Sequence, residues 1–112
     1  MSNPKLHDPS LAVAAGILEI VWAYAMKESH GFTRIIPTAI TVVAAIASIV
    51  LLSISMRTLP LGTAYAIWTG IGAFGAFLIG IMVLGEAASL PRITAAVLIV
   101  SGLVLMKLST DA

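Results

Sequence analysis

The stretch GILEIVW, residues 16–22, places one carboxylate, Glu19, in the middle of an apolar segment. No other residue between Leu11 and Met26 is charged. An ionised carboxylate at the centre of a bilayer costs about 2.5–3.5 kcal/mol or more, so such a group faces a cavity, takes up a proton or meets a cation. A carboxylate that exchanges a proton for a cation is the minimal part of a proton-coupled transporter. The competing interpretation is a structural glutamate that hydrogen-bonds to a neighbouring helix.

The composition predicts an integral membrane protein of one domain. The chain has 112 residues, of which 60% are hydrophobic and 10% charged, and its mean hydropathy is +1.10. Soluble domains carry about 25% charged residues. The apolar runs are continuous and do not alternate, which argues against a β-barrel. The absence of cysteine excludes disulfides and thiolate metal sites, and the net charge of +1 gives no reason to expect a nucleic-acid partner.

Four apolar segments are each long enough to cross a bilayer as a helix, which takes about 20 residues. We predict an all-α fold with transmembrane helices over residues 10–26, 35–56, 63–84 and 92–108, inside one transporter domain of residues 10–112. The polar residues 1–9 predict a disordered tail. The first segment also has features of a signal peptide, but Glu19 inside it argues against cleavage.

Two residues of the first segment and one of the second are candidates to line a site with Glu19. Gly16 and Trp22 share its helical face, because side chains three or four positions apart are neighbours. Trp22 lies too deep for an interfacial belt, which favours a cavity wall. Ser48 lies near the middle of the second segment. Its hydroxyl has two open assignments, a carboxylate or the carbonyl four residues earlier in its own helix.

The third segment contains a second informative stretch, GTAYAIWTGIGA at residues 62–73. Tyr65 and Trp68 share a face, and a phenol and an indole beside a carboxylate make a reasonable cation site, although ordinary packing is equally open. Gly70 and Gly72 weaken the helix locally and predict a kink of the kind alternating access would use. Small residues at three-to-four spacing predict a tight packing face: Gly62, Ala66, Thr69, Ala73, Ala76 and Gly80.

The fourth segment has no charge at membrane depth and is interpreted as a subunit contact through Leu98, Ser101 and Gly102. Four helices cannot easily enclose an aqueous pathway, and each chain supplies one carboxylate at Glu19. A homodimer would have eight helices and two such carboxylates facing each other. Protons and a cation that compete for the paired carboxylates are coupled without further machinery.

The positive charges divide equally between the two sides of a four-span membrane protein. One side receives Lys5, Arg57 and Lys107, and the other receives Lys27, Arg34 and Arg92. The positive-inside rule therefore gives no preferred orientation. A chain that inserts both ways can form an antiparallel dimer with a two-fold axis in the membrane plane, as in inverted-repeat transporters.

Taken together, these motifs resemble the small multidrug resistance family over roughly residues 11–109. The Glu19 segment, the loop GFTR at 31–34 and the stretch at 62–72 carry the resemblance. Within the family, LEIVWA at 18–23 and WTGIGA at 68–73 are similar to the guanidinium-exporter subtype. The N-terminal tail and the loop at 86–89 are slightly longer than the family pattern.

The resemblance implies a dual-topology, antiparallel homodimer in the bacterial inner membrane that exchanges protons for guanidinium, without a cofactor. Glu19 would bind both proton and substrate, and the fourth helix would be the main dimer contact. The resemblance also implies that the substrate site is lined and ordered by Trp22, Ser48, Tyr65 and Trp68, with Gly16 giving close packing in the first helix.

Two alternative functions remain at this stage. One is a broad proton-coupled exporter of quaternary ammonium and other hydrophobic cationic drugs, and the other is a membrane subunit that transports nothing. A planar guanidinium fits carboxylates through paired N–H donors that a quaternary ammonium lacks, which favours a guanidinium exporter over a drug exporter. No enzymatic constellation is visible, because the two histidines, His7 and His30, lie far apart in polar segments, and metal binding is unsupported.

Overall fold

The computed structural model describes residues 8–111, with side chains to Ser109. In this part of the chain, four helices and no strands form: α1 (Ser10–Glu28), α2 (Ile35–Ser55), α3 (Leu61–Met82) and α4 (Leu90–Asp111). All four are long and apolar enough to cross a membrane, so the predicted all-α, four-span fold is confirmed. Most of the tail predicted for residues 1–9, including Lys5 and His7, lies outside the described residues.

The four helices lie side by side in the order α2, α1, α3, α4. α1 packs against both α2 and α3, and α4 packs against α3. The Cα atoms extend over 51 × 34 × 16 Å, so the layer is thin beside a helix diameter of about 10–12 Å with side chains. A single chain therefore forms a flat slab with no enclosed central channel.

α1 runs two residues beyond the predicted end at residue 26, because no residue there breaks a helix. The buried Ser29 then stops it: its hydroxyl donates to the Met26 carbonyl at 2.7 Å and accepts from the Phe32 N–H at 3.0 Å. His30, Gly31 and Phe32 follow with φ of 51°, 73° and 66°. Left-handed backbone at two non-glycine residues is uncommon, and it turns the chain sharply into α2.

Prolines mark the starts of α3 and α4. Pro60 precedes α3, and Pro91 is the second residue of α4, where the missing N–H removes no intrahelical hydrogen bond. The predicted starts at residues 63 and 92 are therefore two residues late in each case. α3 ends in a turn at Gly85, whose φ of 72° suits glycine.

The core lies where α1, α2 and α3 meet, and small residues dominate it. Its buried apolar members are Ala12, Ala15, Leu52, Leu59, Ala64 and Ile67. The packing face predicted for α3 is wrong within the single chain, because Gly62, Thr69, Ala73 and Ala76 are exposed. Of the predicted face only Gly80 is buried. The other buried glycines of α3 are Gly70, Gly72 and Gly75, and α1 and α4 pack against them on a face that the spacing did not identify.

Candidate functional site

The Glu19 carboxylate lies directly against the backbone of Gly72 on α3. A Cβ atom at Gly72 would overlap the carboxylate, so only glycine leaves room for it. Glu19 is partly buried. Within residues 8–111, no lysine or arginine nitrogen lies within 4.0 Å of its carboxylate. The carboxylate is thus held between two helices without a counter-ion among the described residues.

Two further glycines bring α1 and α3 into close contact on either side of Glu19. A Cβ atom at Gly16 would lie 2.8 Å from Ile71 Cβ, and one at Gly75 would overlap the Ile20 side chain. Residues 16, 19 and 20 of α1 contact residues 71, 72 and 75 of α3. The residue numbers increase in the same order on both helices, so α1 and α3 run in the same direction. The resemblance implied close packing at Gly16, and Gly16 does occupy a tight helix contact.

Ser48 connects three helices below the carboxylate. It is 0% exposed, its hydroxyl donates to the Ala15 carbonyl at 2.7 Å, and it accepts from the Trp68 indole N–H at 2.9 Å. Neither open assignment matches this arrangement, since the hydroxyl proton goes neither to Glu19 nor to its own helix. Ala15 is four residues before Glu19, so its carbonyl is also the helical acceptor for the Glu19 N–H.

The aromatic pair of α3 extends this network towards the surface. The Tyr65 and Trp68 rings meet edge to face, with centroids 5.3 Å apart and an interplanar angle of 65°. Tyr65 is 52% exposed, so its ring forms an outer wall. The contact with Trp68 fixes the orientation of an indole that is already bonded to Ser48. Tyr65 and Trp68 share a face of α3, as their spacing predicts, and the hydrogen bond from Trp68 adds Ser48 of α2 to this group.

Trp22 lies one turn above Glu19 on the same helix and is partly buried. Its indole N–H is buried and has no hydrogen-bond partner within the described part of the chain. A buried donor without an acceptor costs about 1–3 kcal/mol. The single chain thus leaves Trp22 with an unused donor beside the carboxylate.

The remaining predicted residues lie farther along α3 and α4. α3 is continuous through Gly70 and Gly72, and the kink stays a prediction. Gly70 accommodates Leu103 of α4, whose Cδ1 would lie 2.6 Å from a Cβ at this position. Leu98, Ser101 and Gly102 are all exposed on α4. The structure does not bring these three residues near Glu19.

A cavity of about 370 Å³ begins beside the Glu19 level and extends to the α3–α4 loop. Ile20 and Ala73, the chain neighbours of Glu19 and Gly72, line its inner end. Ala23 and Ala76 line its middle. At its outer end the cavity is polar, with Lys27, Glu86 and Arg92. The cavity therefore runs along α1 and α3 from the chain neighbours of Glu19 and Gly72 to the α3–α4 loop.

Sequence reasoning missed three contributors to this site. The Ala15 carbonyl gives no signal in the sequence, because every residue carries a carbonyl. Gly72 was predicted only to weaken the helix. Its contact with Glu19 was missed because it depends on the register between α1 and α3. The third contributor is the polar cluster at the outer end of the cavity. The wide spacing of Lys27, Glu86 and Arg92 hides their convergence, which short loops between long helices could have suggested.

A carboxylate at membrane depth between spanning helices, with no lysine or arginine beside it in the described residues, is typical of a site in a helical membrane transporter. A sequence model of the Small Multidrug Resistance protein family matches residues 10–109. The chain belongs to this family of multi-pass membrane transporters.

Curated relatives agree with this membership. The chain is 58% identical over 96 residues to a guanidinium exporter of Citrobacter freundii, covering 86% of this chain and 91% of the relative. A guanidinium exporter of Yersinia pseudotuberculosis is 52% identical over 100 residues, with 89% and 96% covered. One from Escherichia coli O6:H1 is 53% identical over 100 residues, with 89% and 95% covered.

Proposed function

We propose that the protein is a proton-coupled antiporter that exports guanidinium, and small substituted guanidines, across the bacterial inner membrane. The observation that carries this proposal is the Glu19 carboxylate, which packs against Gly72 and has no counter-ion among the described residues. A proton or a cation can each neutralise it, and both cannot occupy it fully at once. The high identity to guanidinium exporters supports guanidinium as the cation.

The chemistry of guanidinium suits this carboxylate. A guanidinium is planar and presents paired N–H donors that match the two oxygens of a carboxylate. It also stacks on aromatic faces, and Trp22 and Trp68 lie on the helices that hold Glu19. A quaternary ammonium has no N–H to donate and would use the aromatic walls alone. The site therefore favours guanidinium over a quaternary ammonium.

An antiparallel homodimer would complete the site. A flat four-helix slab cannot surround a pathway, and the exposed α4 face with Leu98, Ser101 and Gly102 is available for a second copy. The buried Trp22 N–H has no acceptor within the described residues, which an interface with a second copy would supply. Two copies related by an axis in the membrane plane make the inward-facing and outward-facing states equivalent.

Flux into proteoliposomes tests the proposed reaction. Purified protein is reconstituted, a proton gradient is imposed, and uptake of radiolabelled guanidinium is measured against a quaternary ammonium probe. Guanidinium should accumulate against its gradient, and Glu19→Gln should reduce this to the level of empty vesicles. Glu28→Gln, at the end of the same helix, is the matched control and should transport like wild type. Uptake of the quaternary ammonium alone would instead identify a drug exporter, and normal uptake by Glu19→Gln would refute the mechanism.

Cysteine cross-linking tests the dimer, because the chain has no cysteine of its own. Val97 and Leu105 are exposed on α4 and lie equally far on either side of Ser101. An antiparallel pair of α4 helices that crosses at Ser101 brings Val97 of one copy near Leu105 of the other. Mixed Val97→Cys and Leu105→Cys chains should therefore cross-link to each other. Cross-linking of each variant only to itself would indicate a parallel dimer and would refute this arrangement.

A further inference from the structure

The outer end of the cavity holds an ion pair that the transport reaction described above does not use. Arg92 Nη2 lies 3.3 Å from Glu86 Oε1, and Arg92 Nη1 donates to the Ala87 carbonyl at 2.8 Å. The guanidinium carbon of Arg92 also lies 5.2 Å from the centre of the Phe77 ring. One guanidinium group is thus bound by a carboxylate, a carbonyl and an aromatic face.

These three contacts are what any guanidinium ion requires. Its N–H donors lie in the plane of the group and suit oxygen acceptors, while its face suits an aromatic ring. A cation within about 6 Å of a ring centre is attracted by the ring quadrupole. The Arg92 side chain therefore shows that Glu86, Ala87 and Phe77 form a guanidinium-shaped site.

The carboxylate of this site is positioned without help from Arg92. The Glu86 side chain lies against Gly80, where a Cβ atom would crowd the carboxylate. The Glu86 N–H donates to the Gly80 carbonyl at 2.8 Å, and Gly85 supplies the left-handed turn between them. The end of α3 thus sets the direction of the carboxylate, which would remain in place if Arg92 moved away.

Water and solutes can reach this pair, and the cavity leads from it towards Glu19. The side chains of Arg92 and Glu86 are 39% and 42% exposed. Ala23 and Ala76 line the middle of the cavity, and Ile20 and Ala73, the chain neighbours of Glu19 and Gly72, line its inner end. Glu86 and Arg92 thus lie at the outer end of a cavity whose inner end is next to the residues that hold Glu19.

We infer that Glu86, the Ala87 carbonyl and the Phe77 ring form a second binding station for guanidinium-type cations at the cavity mouth. This inference rests on the proposed function. Arg92 fills the station in the resting chain, and the transported ion takes its place in passing. Lys27 lines the same cavity, and its positive charge weakens retention of a cation there. The station is therefore a transient stop and does not trap the substrate.

Binding of radiolabelled guanidinium to the purified full chain, measured by equilibrium dialysis, tests the station. Glu19→Gln removes the main site and serves as the background. Adding Arg92→Ala should empty the station and raise guanidinium binding at least tenfold over Glu19→Gln alone. Adding Glu86→Gln to this pair should remove the gain, and adding Phe77→Leu should reduce it a few-fold. Lys27→Gln should strengthen binding a few-fold.

A second variant keeps the test decisive if Arg92→Ala destabilises the loop. Arg92→Lys retains the positive charge but lacks the planar fork that spans Glu86 and Ala87, so it should give an intermediate gain. The station is refuted if neither Arg92 variant binds more guanidinium than Glu19→Gln alone, or if Glu86→Gln leaves the gain intact. Failure of the proposed function would appear separately, as guanidinium flux that does not need Glu19.

Discussion

Glu19 and Glu86 each pack against a glycine, but only Glu86 is paired with a cationic side chain among the described residues. Each carboxylate lies against a glycine of α3, Glu19 on Gly72 and Glu86 on Gly80. Glu86 lies at the helix end, is 42% exposed, and is paired with Arg92 at 3.3 Å. Glu19 lies at membrane depth and has no cationic side chain beside it within the described residues.

We attribute the proposed difference in role to the counter-ion and not to the packing against glycine, because an ion must displace Arg92 at Glu86 and has no lysine or arginine of the described residues to displace at Glu19. At Glu86 the chain supplies its own guanidinium, so an exposed carboxylate is neutralised at low cost. At Glu19 the described residues supply none, so neutrality requires a proton or an external cation. The same packing against glycine therefore accommodates an ion pair at Glu86 and, in the proposed mechanism, the transport site at Glu19.

The largest expected effect comes from adding one methyl group beneath the Glu19 carboxylate. Gly72→Ala overlaps the Glu19 carboxylate, which is the flexible end of its side chain and can swing away. We expect overpacking to cost about 1–3 kcal/mol of stability, while guanidinium flux falls at least tenfold because the carboxylate is displaced. Flux assays and thermal unfolding in detergent measure the two effects.

Gly80→Ala and Gly62→Ala are the matched comparisons for this experiment. Gly80→Ala displaces Glu86 and should reduce flux only a few-fold. Gly62 has no atom of the chain within 4 Å of an added Cβ, so Gly62→Ala should leave both flux and stability unchanged or slightly improved. Equal loss of flux at Gly72 and Gly80 would show that the two carboxylates are not functionally distinct.

A smaller effect is expected from the hydrogen bonds that hold the helices below Glu19. Ser48→Ala leaves the Trp68 N–H without its acceptor and removes the contact to Ala15. An unsatisfied buried donor costs about 1–3 kcal/mol, and we expect flux to fall several-fold. The exposed Ser53 on the same helix is the control, and Ser53→Ala should behave like wild type. A Ser48→Ala protein with normal stability and flux would contradict a role for this network.

The smallest effect is expected at Tyr65. Tyr65→Phe keeps the edge-to-face contact with Trp68 and removes only the phenol hydroxyl. Turnover should fall a few-fold, with assembly intact by size-exclusion chromatography. Tyr65→Ala also removes the ring contact, worth about 0.5–1.5 kcal/mol, and should be slower still. Failure of Tyr65→Phe to dimerise would assign the residue a structural role instead.

The sequence predicted those features that depend on local pattern. Hydropathy and the prolines located the four helices, and the isolated charge of Glu19 directed attention to the candidate site. The spacing of Tyr65 and Trp68 placed both rings on one face, where the structure shows their contact.

The features that depend on register between helices could not be read from the sequence. A glycine in a membrane helix suggests either flexibility or close packing, and the chain pattern does not say which. Gly72 contacts Glu19 only because α1 and α3 run in the same direction with this offset. Ser48 likewise binds Ala15 across helices, because α2 packs beside α1 at that level.

Proton release on substrate binding tests the central claim most directly. Guanidinium is added to purified protein in weakly buffered detergent solution, and the pH change is followed with an indicator dye. If proton and guanidinium compete for the Glu19 carboxylate, wild type and Glu28→Gln should release protons in proportion to the bound guanidinium, and Glu19→Gln should release none. Guanidinium binding to wild type without proton release, or undiminished release from Glu19→Gln, would contradict the account.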